Sequence, residues 1–384
     1  MYPQATCPLL LIFFVLFMLK KVYRSMNSNL QSQLTTLLDI HELLAPAGTS
    51  LFSQLEARAA PNVRLVRAFD IHNTFTSADP SIHAVFVKKT KSLISPPSNN
   101  SFDWLRFSHV AVDAISAYLP NAMLAPVAFD TVMRTVTLRT ILVGLLGVDP
   151  SEVDIDFPAV DFVTRGINEL WRLSKTTSAL PPNLLSEVNE HLRHWVSDVP
   201  NPLEFIIPAY ETMWRVVALT VALTHSDAKT RENFRDYLEQ PFLERFRHFP
   251  HSGPSVEAII QEILRLYPPT RHISRTIAEI PVPSVPSFLG CRFSRTVTKV
   301  ADIETIQRDA SVWGAFPHVF DPMRHHPERC VAQHWAPQAA AIIAAAILGR
   351  ELEIVEGEKL GGREGWEGWT IRDIDDAQSA SRMD

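Results

Sequence analysis

Apolar residues recur at helical spacing through the middle of the chain. Positions 131–147, TVMRTVTLRTILVGLLG, predict a helix that stops at Gly147, with Asp149-Pro150 beyond. Residues 182–196 predict an amphipathic helix with proline at its start. A long apolar stretch from Phe205 to His225 is interrupted by Pro208, and a polar helix follows from Asp227 to Gln240. From Ser255 to Pro269 the pattern is sharper: Ser255 caps, apolar residues fall at 256, 259, 260, 263, 264 and 266, and Pro268-Pro269 stops the helix. An Ala-rich helix over 338–348 ends at Gly349. By contrast, 281–301 is rich in Pro, Val and Thr and reads as short strands and turns, while the tail from Glu351 is charged and glycine-rich. These elements give a mainly α, α+β fold class.

The N-terminus is of another kind. Cys7 to Leu19 carries no charge, and Lys20, Lys21 and Arg24 follow at once. A cleaved signal carries its basic residues before the apolar run. Extended back to Tyr2, the segment makes about 27 Å of helix at ~1.5 Å per residue, close to a hydrocarbon core of roughly 30 Å. We therefore expect residues 1–24 to form a membrane anchor and 25–384 a single domain in the cytosol, at the endoplasmic reticulum. A cleaved signal and a helix lying in the membrane interface are the alternatives. No later segment is read as long and apolar enough to span, and Asn99-Asn100-Ser101 would never meet the glycosylation machinery.

Charge and cysteine content remove other classes. Lys plus Arg is 36 against 42 for Asp plus Glu, spread along the chain, which argues against a nucleic-acid partner. Three cysteines in 384 residues exclude a disulfide scaffold.

Glu262 and Arg265 stand three apart, on the face opposite the apolar stripe. Alone they read as a surface ion pair worth a few tenths of a kcal/mol, about 0.2–0.5. Their context is more specific. The sequence E-x-x-R, followed by LYPPTRHISRTI, resembles the K helix of the cytochrome P-450 family of haem-thiolate monooxygenases. Further on, IQRDASVWG is similar to that family's H-R-D-P-x-x-W-G pattern, with Gln307 at the histidine position. Phe320-Asp321-Pro322-Met323-Arg324 resembles its F-x-P-x-R segment. The stretch CVAQHWAPQAAAIIAAAIL resembles the ligand cysteine and the helix after it. These matches follow one another in family order.

The resemblance implies a P-450-like helical fold with small sheets, and haem b with iron held axially by Cys330. It implies a structural lock of Glu262, Arg265 and Arg324, with Arg329 as a second candidate for the third member. The loop before Cys330 is short and lacks the family's glycine, and Pro337 is accommodated only if the following helix starts there. Two other readings of the cysteine stay open: a small buried hydrophobe, and a zinc site with His325, His326 and His334.

On the distal side, Glu211-Thr212 resembles the family's acid-alcohol pair, a proton relay to bound dioxygen, with Ala209 at the glycine position. Arg275 is the candidate contact to the haem propionates, with Arg271 and His272 behind it. The W-x-x-x-R signature is absent: Trp104 has Ser108 at the fourth place. The segment from Asp79 to Leu93, with His83 and Lys88, is the candidate equivalent. The function so implied is a membrane-anchored monooxygenase that inserts one oxygen atom from O2 into an apolar small molecule, a step in secondary metabolism. Electrons would come from NADPH through an NADPH-cytochrome reductase. The alternative is a haem-less remnant or scaffold of the same fold.

Overall fold

The computed structural model describes residues 30–95, 103–119, 126–154, 157–250, 253–279, 295–324 and 335–374. The apolar run at 7–19, Asn99 and the loop carrying His325, His326, Arg329, Cys330 and His334 lie outside them.

In chain order, the N-terminal part runs β1 (Leu30–Leu34), α1 (Leu37–Leu44), α2 (Leu51–Phe69), α3 (Pro80–Ile94), α4 (Trp104–Tyr118) and β2 (Val127–Ala128). The middle is α5 (Phe129–Thr140, continued by a wide turn Ile141–Leu145), α6 (Pro150–Asp154), α7 (Phe157–Ser174), α8 (Leu184–Trp195), α9 (Leu203–Tyr210), α10 (Met213–Thr224), α11 (Ala228–Glu239) and α12 (Leu243–Arg247). The last part is α13 (Val256–Leu266), β3 (His272–Glu279), β4 (Arg295–Asp302), α14 (Ile303–Ile306), α15 (Ala310–Trp313), α16 (Ala336–Leu348), β5 (Leu352–Val355) and β6 (Thr370–Asp373).

Helices α4, α5, α10 and α16 pack on one another around the main core, with α11 and α13 against α16. Every residue of α16 from Pro337 to Leu348 is buried, as a helix apolar on all sides must be. Its run of alanines lets its neighbours approach closely. The helix begins at Ala336 with Pro337 in its first turn, where a missing N–H costs nothing.

Among the described residues, two three-stranded sheets flank the helices, ordered β1-β4-β3 and β2-β6-β5. In the first, β1 runs parallel to β4, and β3 antiparallel to it with Arg275 opposite Lys299. The second joins β2, just before α5, to the chain's last strands. The tail that sequence marked only as charged and glycine-rich is thus a hairpin. Its Trp366 and Trp369 are buried against Phe129, with ring centroids 5.1 and 5.4 Å from it.

One expectation is corrected outright. Leu203–Thr224 is a 22-residue helical run long and apolar enough to cross a membrane. Most of it is buried within the protein, so it is the core helix α9–α10 of this fold.

Candidate active site

Helix α13 forms because Ser255 accepts a hydrogen bond from the Ala258 amide at 3.1 Å and Glu257 sits in the positive first turn. Its apolar stripe packs into the core, and its other face is covered too. Glu262 and Arg265 show 0% and 2% exposure, so the surface ion pair that spacing suggests is a buried one. The guanidinium donates twice to the carboxylate, Nε to Oε2 and Nη2 to Oε1, both at 2.7 Å. The cover is the segment 304–324. Arg265 Nη1 donates to the carbonyls of Gln307 and Pro317, each at 2.7 Å, and its guanidinium lies 5.0 Å from the Trp313 ring centroid. The amide of Asp321 donates to Glu262 Oε1 at 3.0 Å.

Arg324 joins this group from the far end of the segment. Its Nε stands 3.7 Å from Glu262 Oε1, and its Nη1 and Nη2 donate to Trp313 O at 2.7 Å and Phe316 O at 3.1 Å. The structure therefore brings Glu262, Arg265 and Arg324 together and closes the chain over them. Cys330 and Arg329 lie beyond, outside the described residues.

Glu211 and Thr212 form the turn between α9 and α10. The helix passes through Pro208 and is disturbed only after it. Proline lacks the N–H that would bond the carbonyl of Glu204; Asn73 Nδ2 donates to that oxygen instead, at 2.9 Å. Glu211 is 1% exposed and tied to two cations. Arg215, one turn on, donates from Nη2 at 3.1 Å and from Nε to the Glu211 carbonyl at 3.3 Å. Arg363, from the C-terminal hairpin, binds Glu211 Oε1. Burial lowers both guanidiniums to about 10, so both stay charged at neutral pH. Arg215 also reaches the carbonyl of Pro269 at 3.0 Å. Thr212 is half-buried at the first turn of α10, with no capping bond from its side chain.

Arg275 lies on β3, half-buried, and donates to the carbonyl of Ser274 at 3.0 Å. Its guanidinium is held below its ordinary value by burial and then by the nearby charge of Arg58. Arg58, on α2, donates to Thr74 Oγ1 at 2.6 Å, and its buried Nε has no hydrogen-bond partner among the described residues. Thr74 Oγ1 also meets His83 Nδ1 at 2.7 Å, which brings the α3 candidate into the same group. Lys88 is exposed. Arg271 and His272 are exposed and face Glu304 and Asp302 at 3.5 and 3.7 Å. Trp104 starts α4 and stacks on Trp335 with centroids 6.3 Å apart.

Arg58, Arg215 and Arg363 escaped the sequence reading. Arg215 was recoverable, four residues after Glu211 on a helix. Arg58 and Arg363 arrive from remote elements and left no local signal. Beside Arg363, between α5, α7 and the hairpin, runs an open groove of about 630 Å³ with Arg134, Asn168 and Trp369 in its walls.

No protein-family model matches the chain, and no curated protein matches it. Solved structures do. CYP175A1 from Thermus thermophilus aligns with TM-score 0.58 at 16% identity over 89% of each chain. A six-coordinated cytochrome P450 from another strain of that species aligns with TM-score 0.56 at 15% identity, over 89% of this chain and 92% of that one. The retinoic-acid-bound cyanobacterial CYP120A1 aligns with TM-score 0.55 at 14% identity over 88% of each. The chain has the cytochrome P450 fold.

Proposed function

We propose that the chain is a haem-thiolate monooxygenase acting on an apolar small molecule. The observation that carries this reading is the buried Glu262–Arg265–Arg324 group, which fixes the backbone of 307–321 just ahead of Cys330 on a P450 fold.

The donor set suits haem. Arg58 and Arg275 are half-buried cations with no carboxylate in ion-pair range among the described residues, and Arg58 Nε is an orphaned buried donor. Such a pair is complementary to the two propionates. Arg58 and Arg275 would hold the propionates, and Cys330 the iron. Bound there, haem b would supply the activation of O2 and the transfer of one oxygen atom, with electrons from NADPH through a reductase. The protein's own part is proton handling at Thr212 Oγ1 and at Glu211. Both Glu211 oxygens are engaged by Arg215 or Arg363, so a relay through Glu211 requires one guanidinium to swing away.

The finer reading places the enzyme at the endoplasmic reticulum on an anchor over 1–24, in a secondary-metabolite route. Exposed Leu37, Leu38 and Leu44 on α1 and Leu51 and Phe52 on α2, close behind that segment, support membrane contact. A second reading is a haem-less remnant of the same fold. It is favoured by the glycine-free stretch 325–334, which alone joins Arg324 to the start of α16.

One spectrum separates them. The chain, expressed with haem supplied, is reduced and exposed to carbon monoxide. The enzyme gives a red-shifted thiolate-type Soret band, lost in Cys330→Ala, and R58Q/R275Q lowers haem content per chain at least tenfold. A chain that folds and shows no Soret absorbance is the remnant.

A further inference from the structure

Trp171, near the end of α7, carries two guanidiniums on one indole. Arg64 from α2 lies 4.9 Å from its ring centroid and Arg363 from the hairpin 4.8 Å. One turn further, Lys175 is exposed, and its ammonium makes no hydrogen bond or ion pair among the described residues. Arg215 joins through the carboxylate of Glu211, which it shares with Arg363. Thus Arg64 and Arg363 meet on Trp171, and Lys175 follows the Ser174 that Arg64 bonds. Arg215 and Arg363 share the carboxylate of Glu211, and Glu364 lies near Arg363, while Arg64 and Lys175 have no ion-pair partner among the described residues.

Capping explains only part of this. The C-terminal carbonyls of α7 attract cations, but Arg67 already takes Leu173 O, Ser174 O and Thr176 O, at 2.8, 3.1 and 2.6 Å. Arg64 instead bonds Ser174 Oγ at 2.7 Å, leaving the rest of its fork without a hydrogen-bond partner among the described residues. Burial, and then the charges of Arg363, Arg64, Arg215 and Arg271, hold the Lys175 ammonium below its ordinary value. A partly buried surplus of like charge is costly unless an anion completes it.

We propose that the cationic surface where α2, the end of α7 and the C-terminal hairpin meet binds the carboxylate of an otherwise apolar organic acid, with Arg64 and Lys175 as its direct contacts. Glu211 shows the chemistry in miniature, one carboxylate held by two forks. That this acid is the oxidised substrate rests on the monooxygenase reading; that this surface takes a carboxylate does not.

Calorimetric titration of the full chain as purified tests the site. The probes are 4-phenylbutyrate and 4-phenylbutanol, equal in carbon skeleton. The acid is expected to bind at least tenfold more tightly, with the margin shrinking as salt rises. Lys175→Gln with Arg64→Gln is expected to erase that margin, while Lys175→Arg keeps it. Lys175→Gln alone, at an exposed position that spares the fold, must weaken the acid and not the alcohol. Equal binding of the two probes, or an unchanged margin in the variants, overturns the proposal. A missing Soret band leaves this result intact and sinks only the monooxygenase reading.

Discussion

At Glu262 a carboxylate without exposed surface meets a guanidinium equally hidden, and desolvation decides the energetics. Both charges lose water, and the pair is sustained only because the carbonyls of Gln307 and Pro317 and the amide of Asp321 satisfy what the ion pair leaves over. Removing one partner strands the other. Glu262→Ala should therefore cost roughly 3–5 kcal/mol, read as a shift in the urea midpoint. A loss under about 1 kcal/mol would match an exposed pair instead and sink the account. The spacing of the two residues was legible in sequence. Their burial was not, because the cover comes from a segment far downstream and owes nothing to the helix's own pattern. Arg275 shows the same limit: sequence singled it out by its position six residues after Pro269, while its electrostatic neighbour Arg58 comes from α2.

Elements were read best where their boundaries are written locally. The N-cap at Ser255, the stop at Pro268 and the start of α16 beside Pro337 all follow from side chains within a turn. The break in α9–α10 was placed at Pro208 and occurs at Glu211-Thr212, because Asn73 repairs the bond that proline forfeits. The glycine-rich tail misled more. Its glycines permit tryptophan packing and do not mark a loose end. A Cβ on Gly361 would stand 2.5 Å from three atoms of the Trp366 indole, itself wedged between Phe129 and Trp369. Gly361→Ala should cost about 1–3 kcal/mol by overpacking, with a blue-to-red change in tryptophan emission as Trp366 is displaced. An unchanged melting temperature and spectrum would show that the hairpin is not wedged as described.

At the scale of the whole molecule, the ordered matches between Glu262 and Cys330 outlined the fold, but the bundle of α4, α5, α10 and α16 could not be foreseen. Which helices meet is set by long-range packing that amphipathic periodicity does not encode. The membrane question belongs to the same scale. A short apolar segment flanked by Lys20, Lys21 and Arg24 is a marginal span by itself. It gains if the domain also rests on the bilayer, and Leu38, 83% exposed, with Phe52 offers apolar surface close behind its end. Two contributions then predict a graded result. The full chain should stay with phosphatidylcholine–phosphatidylserine vesicles through alkaline carbonate. A chain lacking residues 1–24 should still float with them weakly, and L38E with F52E should abolish that remaining binding while leaving the melting temperature nearly unchanged, since neither side chain packs in the core. Release of the full chain by carbonate would remove the anchor. Flotation of the truncated chain indifferent to both substitutions would remove the resting face.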